Sequence, residues 1–281
     1  MTSTTLTAPL LRTRVRRGLS ELLLVLALYG GYSVTRLFAD DSPGPAVARA
    51  HRILGFERFL GLDLEATVNG WFINNPAIGL LGSYYYASAH YLITGVLLVW
   101  LWRSGPKIYQ PARAALVVAT LLALALYLLV PTAPPRFVDG FTDVLRLSAA
   151  HGWWSSDASA PRGMGGYTNE LAAFPSMHAG WALWVAWVVQ REATRRWVIV
   201  LAWLHAGITA VVIVGTGNHW LLDVVAGWAV VAVALVVVYL PGAVGASCAP
   251  GVPESRPSAL RTKAGSVVAH IGGRLARKKA P

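Results

Sequence analysis

Long apolar runs, separated by short polar segments, dominate the pattern of the chain. A helix that crosses a membrane needs about 20 predominantly apolar residues. Six runs approach or exceed that length, at residues 19–39, 77–102, 114–131, 175–190, 197–215 and 219–240. The pattern predicts an all-α polytopic membrane protein with six transmembrane helices. The first run follows "RTRVRRG" but lacks a small-residue cleavage site, so we interpret it as a retained span and not as a secretory signal.

The segments outside these runs predict a simple domain organisation. Residues 1–18 form a basic tail and residues 19–241 the six-helix domain. Within that domain, residues 46–72 mix apolar side chains with charges at helical spacing, which predicts one or two amphipathic helices in the membrane interface. Residues 242–281 are rich in Gly, Pro, Ser and basic residues, and this composition predicts a flexible tail with a short surface helix near 265–278.

Composition supports a membrane protein. The chain is 55% hydrophobic and only 13% charged, whereas soluble domains carry about 25% charged residues. The 12 Trp and 10 Tyr fit aromatic belts at the two membrane surfaces. The single cysteine, Cys248, excludes an intrachain disulfide and a cysteine-based metal site. Nothing in the sequence indicates an oligomeric state.

The basic residues predict the orientation of the chain. With six spans, both tails and the loops 103–113 and 190–197 fall on one side and hold 17 of the 24 Lys and Arg residues. The opposite loops, 40–76 and 132–174, carry six basic and nine acidic residues. This positive-inside asymmetry predicts a multi-pass protein of the cell membrane with both termini in the cytoplasm. We therefore attribute the net charge of +11 to topology and to anionic lipids at the cytoplasmic face, and not to nucleic acid.

Three polar segments adjoin spans at the predicted extracytoplasmic face. They are "PTAPPR" (131–136), "AAFPSMH" (172–178) and "TGNHWLLD" (216–223). An ionisable residue near the middle of a membrane helix costs about 2.5–3.5 kcal/mol, so such residues are retained mainly for function. Because three separate segments meet at one membrane face, the sequence predicts an active or binding site there.

His219 and Asp223 are four residues apart and so share one face of a helix. A carboxylate that holds one imidazole nitrogen makes the other nitrogen a better nucleophile or base. Two alternatives remain open from these residues alone. The pair can be a buried interaction without chemistry, or it can ligate a metal, although the chain has no HExxH motif and no cysteine nearby.

The second segment predicts a helix N-terminus, with Pro175 in the first turn and His178 just beyond Ser176. Free backbone N–H groups at such an end bind phosphate, and the alternative is a capped helix without a ligand. Arg136 either binds phosphate bidentately or anchors to lipid headgroups. For Arg162 a solvated loop is favoured over phosphate binding.

Two further histidines, His90 and His205, lie near the middle of predicted spans and away from the three polar segments. We expect them to form hydrogen bonds inside the helix bundle and to take no part in catalysis.

"PSMH", followed some forty residues later by "HWLLD", resembles the second and third motifs of the type-2 phosphatidic acid phosphatase superfamily. "PTAPPR" resembles the first motif of the branch that contains inositol phosphorylceramide synthases and their bacterial relatives. The resemblance covers residues 76–240 and implies phosphoryl transfer without a metal or other cofactor. It implies a nucleophilic His219 oriented by Asp223, and His178 as the general acid and base. It also implies phosphate contacts from Arg136, Ser176 and the backbone amides around Met177.

The chain departs from the wider family pattern. Val212 and Ile213 stand where the third motif usually has Ser-Arg, and Met177 stands at a position that is often Gly. The predicted phosphate pocket therefore has fewer cations than the family pattern implies. The candidates to compensate are Arg162, Thr216 and Asn218.

The leading functional hypothesis is a lipid phosphatase that hydrolyses a polyprenyl or phosphatidate-like phosphate or diphosphate through a phosphohistidine. One alternative is a phosphotransferase that moves a phospho-headgroup, such as inositol phosphate, between a lipid and an alcohol. Another is a proton-coupled transporter, although its ionisable residues would be expected to run through the bilayer and not to cluster at one face.

Overall fold

A computed structural model describes residues 7–38, 43–154, 162 and 169–247. Most of these residues are helical, and within them the structure has no β-strand, only an isolated parallel bridge between Thr132 and Ala172. Short 3-10 helices cover Pro135–Phe137 and Ala149–His151. The α-helices are α1 (Thr7–Phe38), α2 (Pro43–Phe59), α3 (Glu65–Asn74), α4 (Pro76–Ser104), α5 (Pro106–Leu129), α6 (Val144–Leu147), α7 (Met177–Glu192), α8 (Arg196–Gly215) and α9 (Leu221–Ser247).

Three helices among the described residues, α5, α8 and α9, are long and apolar enough to cross a membrane. The predicted all-α class is thus confirmed, whereas the count of six spans stays a prediction. Helices α1, α4 and α7 coincide with the other three predicted spans. Helix α7 has only 16 residues, and the apolar part of α1 is Gly18–Ser33. Helix α4 is long, but its first half carries tyrosines, serines and a histidine that lower its mean hydropathy.

Several boundaries differ from the predicted ones. Helix α1 begins at Thr7, within the predicted basic tail, and α9 ends at Ser247, beyond the predicted start of the flexible tail. Helix α5 begins at Pro106 and not near residue 114, because a proline is well accommodated at the first helical position. The predicted surface helix near 265–278 lies outside the described residues.

In the unit that ends at Leu240, α4 and α7 each pack against several other helices. Helix α4 contacts α5, α7 and α8, and α7 contacts α5 and α8. The fully buried Trp184 of α7 donates a hydrogen bond to the carbonyl of Ala112 on α5, at 2.9 Å. Helices α7 and α9 approach each other closely at two glycines, since a Cβ added to Gly180 would lie 3.1 Å from the carbonyl oxygen of Gly227.

The segment predicted to form one or two amphipathic helices contains two helices, α2 and α3. Their amphipathic character and their location in the membrane interface stay predictions. Helix α3 packs against α4 and α8 through Phe72, whose ring fills the space that a side chain at Gly82 or Gly215 would need. Together, α2 and α3 lie close to the loop that connects α8 to α9, because both helices send side chains to that loop.

Candidate active site

Backbone hydrogen bonds join the first two polar segments. The amide of Thr132 donates to the carbonyl of Leu171 at 2.6 Å, and the amide of Ala173 donates to the carbonyl of Thr132 at 3.1 Å. These two bonds form the isolated parallel bridge of the fold. The segment after α5 and the segment before α7 therefore run side by side.

Further backbone hydrogen bonds join the third polar segment to the other two. The amide of Arg136 donates to the carbonyl of Gly217 at 3.0 Å, and the amide of Ser176 donates to the carbonyl of Asp223 at 2.9 Å. The structure thus brings together the three segments that the sequence analysis placed at one face.

His219 lies in the loop between α8 and α9, two residues before α9 begins, so the prediction that it shares a helix face with Asp223 is wrong. The residue is only 5% exposed. Its Nδ1 is 2.9 Å from the carbonyl oxygen of Ala173 and 3.4 Å from Oδ2 of Asp223. Because a carbonyl only accepts hydrogen bonds, Nδ1 carries the hydrogen and Nε2 keeps its lone pair. The expected pairing with Asp223 is present, but the carbonyl of Ala173 is the nearer partner and was not predicted.

Ser176 is the N-cap of α7, since its Oγ accepts a hydrogen bond from the amide of Ala179 at 3.4 Å. Pro175 therefore precedes the cap, whereas the sequence analysis placed it in the first turn. His178 is in that turn, with its ring stacked on Tyr86 at a centroid distance of 4.4 Å. Its ring centroid is 5.6 Å from that of His219, so the two imidazoles lie side by side.

The expectation that His90 lies away from the polar segments is wrong. Its ring contacts the ring of His178 edge to face, with the centroids 4.0 Å apart. The sequence carried no signal for this contact, because the contact depends on the axial offset at which α4 and α7 pack against each other. By contrast, His205 bonds inside the bundle as expected, through Nδ1 to the hydroxyl of Tyr85 at 2.5 Å.

Arg136 is held by three side chains, and its own side chain is only 8% exposed. Nη1 donates to Oδ1 of Asn218, Nε is 3.6 Å from Asp143, and Nη2 is 3.5 Å from Glu170. The amide of Asn218 in turn donates to Oγ1 of Thr216 at 3.1 Å. Asn218 and Thr216 thus support Arg136, a role that differs from the predicted direct compensation for missing phosphate ligands.

The other predicted phosphate contacts are placed differently. Arg162 donates from Nη2 to the carbonyl of Ala149 at 2.8 Å, and its amide donates to the carbonyl of Trp153 at 2.9 Å. Among the described residues, these partners lie outside the three polar segments. The side chain of Met177 packs against the apolar core around α7. The backbone amide of Ser176 is engaged by Asp223, which leaves the hydroxyl hydrogen of Ser176 as its remaining donor.

Two glutamates that the sequence analysis did not single out reach the start of α9. Oε1 of Glu65 accepts the amide of Leu221 at 2.9 Å, and Oε1 of Glu57 accepts the amide of Leu222 at 2.6 Å. Burial raises the pKa of Glu57 to about 8, even though the hydrogen bond from Leu222 opposes the shift. The only signal in the sequence was the presence of two acidic residues in a segment that otherwise predicts amphipathic helices.

Asn69 was also missed, and it anchors the same loop. Its side chain donates to the carbonyls of Thr142 and Gly215, each at 2.9 Å, and accepts the amide of Thr142 at 2.9 Å. Gly217, two residues further along the loop, has a φ of +75°, and a side chain there would collide with the carbonyl of Thr142. The loop that carries His219 is therefore fixed before any ligand binds.

An all-helical protein with paired, buried histidines beside a clamped arginine has the features of an enzyme that acts on phosphate esters. The sequence model of the PAP2 superfamily matches residues 51–237, which is more than half of the chain, and the protein belongs to this superfamily. Membership supports phosphatase-type or phosphotransferase activity on phosphate esters. No curated protein and no solved structure matches the chain.

Proposed function

We propose that the protein is a membrane lipid phosphatase that hydrolyses a lipid phosphate or diphosphate through a phosphohistidine intermediate. The observation that carries the proposal is the pair of imidazoles, His219 and His178, whose centroids are 5.6 Å apart at the junction of the three polar segments. At that separation both rings can reach one phosphoryl group. The family membership supports the same chemical class.

In the first step, Nε2 of His219 attacks the terminal phosphorus, and the bond from this phosphorus to the lipid oxygen of a monophosphate, or to the bridging oxygen of a diphosphate, breaks. His178, in its protonated form, gives its proton to the departing oxygen. The Ala173 carbonyl and Asp223, on the Nδ1 side of His219, stabilise the positive charge that the ring gains. In the second step, His178 takes a proton from water, the resulting hydroxide attacks phosphorus, and phosphate leaves His219 with its lone pair restored.

Arg136 supplies the positive charge for the phosphate oxygens in this proposal. Phosphoryl transfer relies mainly on positioning and on stabilisation of the equatorial oxygens, which a fixed guanidinium provides. Asn218, Asp143 and Glu170 hold the guanidinium in place, each through a different one of its nitrogens. The hydroxyl of Ser176 is a second donor at the start of α7.

The proposed topology has six spans, with both termini in the cytoplasm and the site at the extracytoplasmic face. The contacts of α1 and α5 support it. Glu21, at the start of the first predicted span, pairs with Arg113, at the end of the predicted cytoplasmic loop 103–113, so the cytoplasmic ends of the first and third predicted spans lie at one end of the bundle. The candidate site lies beyond the opposite end of α5, at residues 131–136. Substrate would then approach from the outer leaflet.

The first test is phosphate release by the purified protein in lipid nanodiscs, with EDTA present. The panel contains phosphatidate and polyprenyl mono- and diphosphates. We expect release by the wild type and by His51→Ala, a matched control in which an exposed histidine of α2 is replaced. His219→Ala and His178→Ala should each lose release.

A second readout is the intermediate itself. With labelled lipid phosphate, the wild type should carry an acid-labile phosphoryl group that His219→Ala lacks. Equal release by wild type and His219→Ala would refute the mechanism. If phosphate appears on an added alcohol such as inositol instead of in solution, the reaction is phosphotransfer, as the similarity of "PTAPPR" to the inositol phosphorylceramide synthase branch implies. Proton-coupled lipid movement without phosphate release would instead indicate a transporter.

A further inference from the structure

The first turn of α9 is capped by three buried carboxyl groups from three different helices. They accept hydrogen bonds from three successive backbone amides directly after His219. The contacts are Asp223 to the Trp220 amide at 2.8 Å, Glu65 to the Leu221 amide at 2.9 Å, and Glu57 to the Leu222 amide at 2.6 Å. The amides at a helix start have no partner within the helix, and its dipole favours negative charge there.

Of the three capping carboxyl groups, only Asp223 lies near a basic side chain in the described part of the chain, the imidazole of His219. Glu57, Glu65 and Asp223 are 2%, 1% and 0% exposed. Among the described residues, neither glutamate has a basic partner in an ion pair, and the second oxygen of each of the three carboxyl groups has no hydrogen-bond partner. The described residues also contain no group of three such side chains arranged to hold a metal ion. Buried like charges without a counter-ion are unfavourable, so a proton must reduce the charge of the cluster.

Burial raises the pKa of Glu57 to about 8, so Glu57 is protonated in the folded protein at neutral pH. The titratable groups that face it are Glu65 from α3 and Asp223 from α9. A protonated carboxyl group keeps a carbonyl oxygen that accepts the amide of Leu222, and gains an O–H that can be donated to a neighbouring carboxylate.

We propose that Glu57 and Glu65 are positioning residues that hold the start of α9, and with it His219, through a carboxylic acid–carboxylate pair. The assignment of His219 as nucleophile rests on the proposed function. The hydrogen bonds of the cap do not depend on that function. Glu57 and Glu65 belong to α2 and α3, so the proposal makes these two outer helices part of the support for the reacting imidazole.

The cap makes stability depend on pH in a defined direction. Between the ordinary carboxyl pKa of 4.5 and the folded value of about 8, the folded protein holds a proton at Glu57 that the unfolded chain has lost. Stability therefore falls as pH rises through this window and levels off above it. Glu57→Gln keeps both an oxygen acceptor and a hydrogen donor but does not titrate, so it should remove this part of the decline.

The activity-independent experiment compares full-length wild type, Glu57→Gln, Glu57→Ala and Glu65→Gln in nanodiscs. Asp63→Asn is the matched control, since it removes an exposed carboxylate from the connection between α2 and α3. Thermal unfolding is measured from pH 5 to 9, and hydrogen exchange is followed in peptides that contain residues 220–222. We expect the advantage in Tm of Glu57→Gln over wild type to grow from pH 5 to 8. Asp63→Asn should show no such trend.

Hydrogen exchange reports the cap directly. In Glu57→Ala the amide of Leu222 loses its acceptor, and exchange in the 220–222 peptides should be at least about tenfold faster than in wild type. Glu57→Gln should restore protection. Because Gln stands in for the protonated acid, Glu57→Gln remains informative even if Glu57→Ala fails to fold.

The activity arm separates a positioning role from a merely structural one. At pH 7 we expect Glu57→Ala to lower kcat about tenfold or more with little change in KM, and Glu57→Gln to stay within about threefold of wild type. Wild-type activity should decline above pH 8, and this alkaline limb should move upward in Glu57→Gln.

Two results would overturn the proposal. One is unchanged exchange of residues 220–222 in Glu57→Ala; the other is a pH dependence of Tm that is identical in wild type and Glu57→Gln. If the wild type releases no phosphate from any lipid while the exchange and Tm results are as expected, the proposed function fails and the cap stands.

Discussion

The close crossing of α7 and α9 gives a graded test of how the two histidines are held. At this crossing a Cβ added to Gly227 would lie 2.0 Å from the carbonyl oxygen of Ser176, whereas real Cβ atoms essentially never come within 3.0 Å of such an atom. That oxygen accepts the amide of Gly180 in the first turn of α7. Gly227→Ala therefore forces the start of α7 and α9 apart by about 1 Å.

The expected magnitude follows from this displacement. Overpacking of this kind costs about 1–3 kcal/mol of stability, and a misplacement of about 1 Å in a catalytic group can reduce activity about a hundredfold. The shift falls between His178 on α7 and His219 before α9, so activity should suffer more than stability. We expect Gly227→Ala to remain folded with a reduced Tm and to lose most phosphate release.

Two other glycines complete the series. Gly207→Ala in α8 is the matched control, since a Cβ added there meets no other atom within 4 Å. This variant should be active and slightly more stable than wild type, because Ala favours a helix by about 1 kcal/mol over Gly. Gly180→Ala places its Cβ 3.1 Å from the Gly227 carbonyl oxygen and should be intermediate. The assays are phosphate release and thermal unfolding in nanodiscs. Activity and Tm of Gly227→Ala equal to those of Gly207→Ala would refute this reasoning.

Three further substitutions test separate contacts. Trp154→Phe removes a buried indole and leaves the carbonyl of Leu145 without its hydrogen-bond donor. The free energy of unfolding, measured by chemical denaturation, should therefore fall by about 2–4 kcal/mol. An unchanged free energy of unfolding would contradict this prediction. Asn218→Ala removes one of the three side chains that hold the guanidinium of Arg136 and should lower kcat/KM about ten- to a hundredfold in steady-state assays. Unaltered kinetics would show that this contact is dispensable. His90→Phe keeps the ring contact with His178, the proposed general acid, and should stay within about threefold of wild-type activity. His90→Ala should lose more than tenfold of that activity. Equal losses of activity in the two variants would show that a ring nitrogen of His90 is needed.

Much of the helical order could be predicted because it depends on local sequence. Apolar runs, together with the Ser176 cap, place helices along most of the chain. The meeting of the three polar segments was also predictable, since alternate connections of a membrane bundle lie on the same side. The helix ends at Thr7, Pro106 and Ser247 were not, because apolar pattern alone does not define where a helix ends.

The contacts that were missed depend on depth and rotation of helices, which a single sequence does not encode locally. His90 resembled an ordinary bundle histidine, yet its contact with His178 follows from the packing of α4 on α7. Glu57 and Glu65 resembled the polar face of amphipathic helices, yet both point inward and cap α9. In each case the deciding partner is far away in the sequence.

The way the His219 loop is fixed also bears on substrate choice. Asn69 holds the carbonyl of Gly215 at one end of the loop, and the glutamate cap holds residues 221 and 222 at the other. Such preorganisation favours the charge that develops during phosphoryl transfer, but it leaves the loop little freedom to adapt to different lipids. Selection between substrates, and between water and an alcohol as acceptor, is then expected to reside in the loop 137–174. Exchanging the part of that loop between Asp143 and Glu170, which keeps these two partners of Arg136 and the Ala173 carbonyl in place, should change the acceptor while the proposed phosphohistidine step is retained.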